Sequence, residues 1–116
     1  MARTPGADLD PARLQALAEN LGQTPEAIAH TLHAELLAAR ARIDAGLSGG
    51  DPVAVGDGAH AARNSALMVG TQRLLAGLRA LEIAADAGDL AAARAARDGA
   101  AEGLGQLIEA LAALGG

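Results

Sequence analysis

Residues 60–70 read HAARNSALMVG, and their pattern predicts an amphipathic helix that begins some residues earlier. At about 100° per residue, one side of this helix carries only small apolar residues: Val55, Ala59, Ala62, Ala66 and Val69. Such a stripe suits the close-packed interior of a helical protein. The opposite side places Arg63 and Asn64 within about 60° of His60. We therefore expect His60 to face outward, with a cation and an amide one turn further along.

Start and stop signals divide the chain into five helices, one of which carries His60. The first three are predicted to begin where a capping side chain precedes a proline, at Asp10-Pro11, Thr24-Pro25 and Asp51-Pro52. Glycines mark their predicted ends, at Gly22, at Gly46 with the loop Ser48-Gly49-Gly50, and at Gly70. The turn Ala87-Gly88-Asp89 separates the fourth helix from the last. Apolar residues recur at spacings of three and four and β-branched residues are sparse, so no strand is predicted.

These helices indicate an all-α fold. Short loops force neighbouring helices to run antiparallel, so the last four should form an antiparallel up-down four-helix bundle. The additional short N-terminal helix should pack across one end of that bundle. We expect residues 1–8 to form an N-terminal tail and residues 9–114 to form a single helical domain, because 116 residues are typical of one domain.

The composition excludes several classes of function. The net charge is −5 and the chain has no Phe, Tyr or Trp, which argues against a nucleic-acid partner because bases would find no aromatic surface. Cysteine is absent, so disulfides and thiolate metal sites are excluded. No apolar run is long enough to cross a membrane and no secretory signal is evident, so a cytoplasmic protein without a membrane partner is expected.

The stretch from His60 to Gly70 closely resembles the signature of histidine-containing phosphotransfer (HPt) domains. That signature has a histidine, a basic residue at the third place after it, a small residue at the fourth, two more small residues, and a glycine at the tenth. Here those places hold Arg63, Asn64, Ser65, Ala66 and Gly70. The resemblance extends to the order of helices over residues 9–114, to an acidic residue at Glu82 and to the turn at 87–89.

The resemblance implies a phosphocarrier rather than an enzyme. His60 would accept a phosphoryl group from an aspartyl phosphate on one response-regulator receiver domain and pass it to an aspartate on another. A hybrid histidine kinase is a further implied partner. The chain itself is expected to need no cofactor or metal, and Mg²⁺ is expected on the receiver. The sequence has no lysine and no glycine-rich phosphate loop, so an ATP-dependent kinase is not predicted.

Two residues one turn after His60 are predicted to act with it. Arg63 can donate charge-assisted hydrogen bonds to phosphate oxygens, although lysine is commoner at that place in HPt domains. Asn64 replaces the glycine that lets the partner's aspartate approach the histidine. Its short amide either hinders that approach or hydrogen-bonds the phosphate. Taken singly, an arginine such as Arg63 is more often an ordinary surface charge.

A residue on the next helix completes the predicted site. His60 lies ten residues before the turn at Gly70 and Glu82 lies twelve after it, so the two should be level on antiparallel neighbours. Glu82 could then accept a hydrogen bond from the ring nitrogen that does not react, which would fix the tautomer. HPt domains commonly carry Glu or Gln at this place. The alternative is an exposed residue paired with Arg79.

Apolar residues flank His60 on or near its outward face: Val53, Leu67 and Met68. These side chains could dock a helix of a partner protein. The alternative interpretation is that they fill gaps beside the neighbouring helix, as methionine often does. The sequence does not separate the two interpretations.

Two further hypotheses belong to other classes of protein. His30 and His33 lie three residues apart with Glu26 one turn before, a spacing that could form a zinc site. However, Arg40 and Asp44 continue the same face of the helix, and no fourth ligand is evident. An ordinary solvated face is therefore expected there. The other hypothesis is an HPt-like binding module that docks a receiver or histidine kinase without transferring phosphate. Two departures from the HPt signature support it: Asn64, and arginine rather than lysine at position 63.

Overall fold

The computed structural model describes residues 9–115, which form five α-helices. Their bounds are Pro11–Leu21 (α1), Pro25–Gly49 (α2), Pro52–Leu67 (α3), Gln72–Asp86 (α4) and Leu90–Leu114 (α5). Among the described residues the one β-type pairing is an isolated bridge between Leu9 and Gly70. The all-α prediction is confirmed for this part of the chain, whereas the tail predicted at residues 1–8 lies outside it.

The helices begin where the capping signals predict. The Asp10 carboxylate accepts backbone hydrogen bonds at the start of α1, and the Asp51 carboxylate does the same for Val53 and Ala54 at the start of α3. The Thr24 hydroxyl accepts from the backbone of Ala27 in α2. In each case a proline follows, which loses nothing because the first backbone N–H groups of a helix have no intrahelical acceptor. Local chemistry therefore sets the starts of these three helices.

Of the residues predicted to end α2, Gly46 is wrong, whereas Gly50 of the predicted loop is correct. The helix continues for three residues to Gly49, and Gly50 ends it with a left-handed backbone at φ 67°. Gly46 has a packing role instead, because a Cβ there would lie 2.8 Å from both the backbone nitrogen and Cγ2 of Val55. The glycine lets the start of α3 approach the last turns of α2 closely.

Helix neighbours follow a closed order. α3 packs between α2 and α4, α5 packs against α4 and returns to α2, and α1 packs against α2. The predicted interior stripe of α3 is fully buried: Val55, Ala59, Ala62, Ala66 and Val69 all have 0% exposure. Leucines and isoleucines of the other helices complete one continuous core. Because α3 is buried on one side only, its other side remains available to solvent.

The segment between α3 and α4 is held by α1. The guanidinium of Arg13 donates to the carbonyl oxygens of Leu67 and Gly70, which are left without helical partners where α3 ends. The backbone N–H of Asp10 donates to the carbonyl oxygen of Val69 at 2.7 Å. These contacts place the start of α1 over the end of α3.

Within residues 9–115, no helix is long and apolar enough to span a membrane.

Candidate functional site

His60 lies on the solvent side of α3 and contacts Glu82 of α4. The ring nitrogen Nδ1 is 2.7 Å from Oε2 of Glu82. The histidine side chain is 55% exposed, whereas that of Glu82 is only 13% exposed. The contact predicted from the level positions of these residues is therefore present. It fixes one nitrogen of the ring, Nδ1, against α4 and leaves Nε2 without a contact to Glu82.

Glu82 also holds Arg63. The Nε atom of Arg63 donates to Oε1 of Glu82 at 2.8 Å, and Arg79 approaches the same oxygen at 3.8 Å. One carboxylate thus joins the histidine to two cations. The Arg79 pairing weighed as an alternative for Glu82 is present together with the His60 contact, so the two do not exclude each other. The sequence did not predict the bond from Arg63, because it depends on side-chain rotamers across two helices.

The pKa of Glu82 lies below its usual value. Partial burial alone would raise it, but hydrogen bonds from His60 and Arg63 and the charge of Arg63 outweigh that penalty. Glu82 is therefore ionised at neutral pH and acts as a pure hydrogen-bond acceptor. Such an acceptor favours the histidine tautomer whose proton is on Nδ1.

Asn64 lies against the other ring nitrogen. Its Nδ2 atom is 3.3 Å from Nε2 of His60, at the distance of a long hydrogen bond. An amide N–H can only donate, so this contact requires a lone pair on Nε2. The tautomer that suits Glu82 therefore also suits Asn64. The neutral ring with its proton on Nδ1 satisfies both contacts at once, with the nucleophilic lone pair directed at the amide.

The Arg63 side chain is 22% exposed and is less solvated than the helix period suggested. Its Nε atom is used by Glu82, and among the described residues the terminal nitrogens of its guanidinium have no other partner. These N–H groups remain available to an incoming anion. Arg63 thus occupies a position in which it can orient Glu82 and offer positive charge near His60.

A surface hollow of about 390 Å³ adjoins His60 on the side away from Asn64. It lies between α3 and α4, with Gly56 and Ala85 among its lining residues. Gly56 keeps it open, since a Cβ there would lie in ordinary contact, 3.5 Å from the Cβ of Ala85. A side chain from another molecule has room to reach the imidazole from this direction.

Apolar side chains near His60 are exposed as predicted. Val53 is 70% exposed, Leu67 49% and Met68 46%, so none of them fills the core. Ile83, directly after Glu82 on α4, is 56% exposed and was not singled out from the sequence. The signal that could have identified Ile83 is its position directly after Glu82, which was predicted to contact His60. The docking role of these residues stays a prediction.

Ser65, one of the small residues in the 60–70 stretch, is buried and forms a hydrogen bond to a neighbouring helix. Its hydroxyl donates to Oε2 of Glu35 on α2 at 2.9 Å. Ser65 is 6% exposed and is the one buried polar or charged residue in this part of the chain. A small residue is therefore required here for packing, and its hydroxyl also ties α3 to α2.

The other two histidines of the chain do not gather ligands. Nδ1 of His30 is 3.1 Å from the carbonyl oxygen of Gly115, and both His30 and His33 lie on α2, away from the His60 cluster. In residues 9–115 no three His, Cys, Asp or Glu side chains are grouped closely enough to hold a metal ion. The prediction that the chain needs no metal or cofactor stays a prediction.

A second polar cluster joins α2 to α5. Arg97 pairs with Asp44 at 2.9 Å and approaches Asp98, and Arg94 donates to the carbonyl oxygen of Leu47. The hydrogen bond that Arg97 donates to Asp44 raises the pKa of the Arg97 guanidinium above its usual value. Because these groups bond to one another, the cluster connects two helices rather than presenting a free charge. It contains no nucleophile comparable to His60.

Comparison of the chain with protein-family models, with curated proteins and with solved structures gave no significant match.

Proposed function

We propose that this chain is a histidine phosphotransfer protein of a two-component phosphorelay. In this proposal α2 to α5 form an antiparallel up-down four-helix bundle with α1 across one end, as in the HPt domains that residues 60–70 resemble. His60 accepts a phosphoryl group from the aspartyl phosphate of one response-regulator receiver domain. It then passes this group to an aspartate of another receiver domain. The chain acts as a carrier and not as an ATP-dependent kinase.

One observation carries the proposal. An exposed imidazole has its Nδ1 atom held 2.7 Å from an ionised carboxylate, and this leaves the lone pair on Nε2, which the Asn64 amide contacts at 3.3 Å. Phosphoryl transfer depends mainly on positioning and charge stabilisation, because the protein supplies little covalent chemistry beyond the nucleophile. Glu82 supplies positioning and Arg63 supplies charge.

Exposed apolar side chains near His60 support a protein partner, which in this proposal is a receiver domain. Val53, Leu67 and Met68 offer exposed apolar area around His60, which would exclude water from the transfer. The chain's net charge of −5 disfavours a nucleic-acid partner, because the phosphate backbone is also negative. Mg²⁺, where the reaction needs it, belongs to the receiver's acidic pocket. A receiver of a hybrid histidine kinase would meet the same requirements.

The direct test is transfer from a radiolabelled phospho-receiver to the wild-type chain and to His60→Gln. We expect acid-labile label on the wild type and none on the variant, because glutamine has a similar reach but no nucleophilic nitrogen. His60 is exposed, so the variant should fold normally, and circular dichroism provides the control. Equal labelling of the two proteins would contradict the assignment of His60.

A docking module without transfer is the second candidate function. The contact of Asn64 with Nε2 favours it, since the amide covers the atom that must attack phosphorus. Such a module would bind a receiver or kinase in stoichiometric amounts without accepting phosphate. Titration calorimetry of the same receivers, run beside the labelling assay, separates the two functions: binding without label supports docking alone.

A further inference from the structure

Asn64 contacts the ring nitrogen to which the phosphoryl group would bond in the proposed function. Its Nδ2 atom is 3.3 Å from Nε2 of His60, on the outer side of α3. The other ring nitrogen is held by Glu82. The amide therefore donates to the one lone pair of the ring that is available for reaction.

We infer that Asn64 is a positioning residue that transfers its hydrogen bond from Nε2 to a phosphoryl oxygen and thereby prolongs the life of the phosphohistidine. The inference rests on the proposed function and goes beyond it, because it assigns this chain a long-lived phosphorylated state. It also assigns the departure from glycine at this place a specific effect on that state.

The chemical step shows why the hydrogen bond must move. The Nε2 lone pair forms a bond to phosphorus while the P–O bond to the partner's aspartate breaks, and the aspartate leaves as a carboxylate. Nδ1 keeps its proton, which stays hydrogen-bonded to Glu82. Once its lone pair is used in the N–P bond, Nε2 no longer accepts a hydrogen bond from Asn64. The phosphoryl oxygens become the nearest acceptors for the amide.

The surroundings of Asn64 permit this movement. The side chain is exposed, and His60 is its one hydrogen-bonding partner among the described residues. It also borders a shallow hollow of about 570 Å³ between α2 and α3, lined mainly by alanines and by Glu35 and Arg42. A change of rotamer therefore breaks no other bond and meets open space.

The resulting phosphohistidine would be held from two sides. Glu82 keeps the charge of the phosphorylated ring balanced through Nδ1, and Asn64 restrains the phosphoryl group through an oxygen. The contact of Asn64 with the phosphoryl oxygen is lost when the N–P bond breaks in water, whereas Glu82 keeps its contact with Nδ1. Hydrolysis is therefore slowed relative to a chain that has no side chain at this place.

The test compares wild type with Asn64→Ala, which removes the amide and favours the helix, so a failure to fold is not expected. The phosphodonor is phosphoramidate, which needs no cognate receiver. We expect the phosphohistidine of Asn64→Ala to hydrolyse about tenfold faster than that of the wild type, the size of effect that one hydrogen bond to a charged group produces. Ala61→Asn is the matched control, since it places the same amide on another side of α3.

A second readout uses the unphosphorylated protein. A hydrogen bond from Asn64 changes the ¹⁵N chemical shift of Nε2 from the value of a ring nitrogen whose lone pair accepts no hydrogen bond from the protein. Asn64→Ala should return the shift to that value. The Nδ1 resonance should stay in place because Glu82 is unchanged. A merely structural role of Asn64 would alter neither resonance in this selective way.

The outcomes separate this inference from the proposed function. Equal phosphohistidine lifetimes in wild type and Asn64→Ala would overturn the inference, and faster labelling without a shorter lifetime would show that the amide only obstructs Nε2. A wild type that takes phosphate from phosphoramidate but from no receiver would contradict the proposed function and leave the lifetime comparison valid. A His60 that phosphoramidate fails to label would overturn both.

Discussion

The two sides of α3 differ in how tightly their residues are constrained. On the buried side a Cβ at Gly58 would lie 2.8 Å from Cγ1 of Ile43 and 3.0 Å from the carbonyl oxygen of Ala39. On the solvent side a Cβ at Gly56 would meet nothing closer than 3.5 Å. The two glycines are two residues apart in one helix. One fixes the distance between helices, whereas the other leaves space beside a histidine.

This difference shows how a single helix combines stability with chemistry. The buried side contributes apolar area and close packing, where small changes of volume alter the free energy of unfolding. The solvent side carries polar groups that bond to one another through Glu82 and contribute less to stability. Substitutions on the first side should change folding, and substitutions on the second should change reactivity.

The largest expected effect on stability is at Gly58. Gly58→Ala should lower the free energy of unfolding by about 1–3 kcal/mol, because the neighbouring atoms include helix backbone that cannot move without separating α2 from α3. Gly56→Ala is the matched control and should raise it by up to about 1 kcal/mol, since alanine favours a helix and finds room there. Urea unfolding of both variants measures the difference. Equal stabilities would contradict the close packing of α2 on α3.

Removal of the Arg63 side chain should affect stability less than the change at Gly58, but it should clearly slow phosphoryl transfer. Arg63→Ala should slow uptake of phosphate about tenfold, because one cation near the phosphoryl oxygens is lost. The free energy of unfolding should fall by only about 1 kcal/mol, since His60 and Arg79 continue to contact Glu82. Single-turnover transfer and urea unfolding measure the two quantities. A variant that fails to fold would make Arg63 structural, and an unchanged transfer rate would remove it from the site.

The smallest expected effect is the pH dependence of stability that Glu82 contributes. Its pKa is lowered in the folded chain and returns towards its usual value near 4.5 on unfolding. As pH falls, the unfolded chain takes up the proton first, so the stabilisation is complete above about pH 4.5 and is lost as pH falls through the lower folded-state pKa. The difference in unfolding free energy between wild type and Glu82→Gln should therefore shrink from pH 5.5 to pH 3. A difference independent of pH would contradict the ionised state assigned to Glu82.

The contact between His60 and Glu82 was predictable from the sequence because it follows from helix period and from counting residues on either side of one turn. The same reasoning did not predict that Arg63 bonds to Glu82. A helix period gives the direction of a side chain but not the rotamer it adopts against a neighbouring helix. The helix period predicted that Arg63 faces solvent. In the structure its Nε atom donates a hydrogen bond to Glu82 of α4.

The sequence by itself determined where the helices start and which side of α3 is buried, because capping bonds and helix period act over a few neighbouring residues. Only the tertiary structure decided that Gly46 lies within a helix, that Glu82 joins His60 to Arg63, and that the amide of Asn64 lies at Nε2. These features depend on distances between residues that are far apart or on competing rotamers. Packing fixes both, and no local pattern in the chain encodes them.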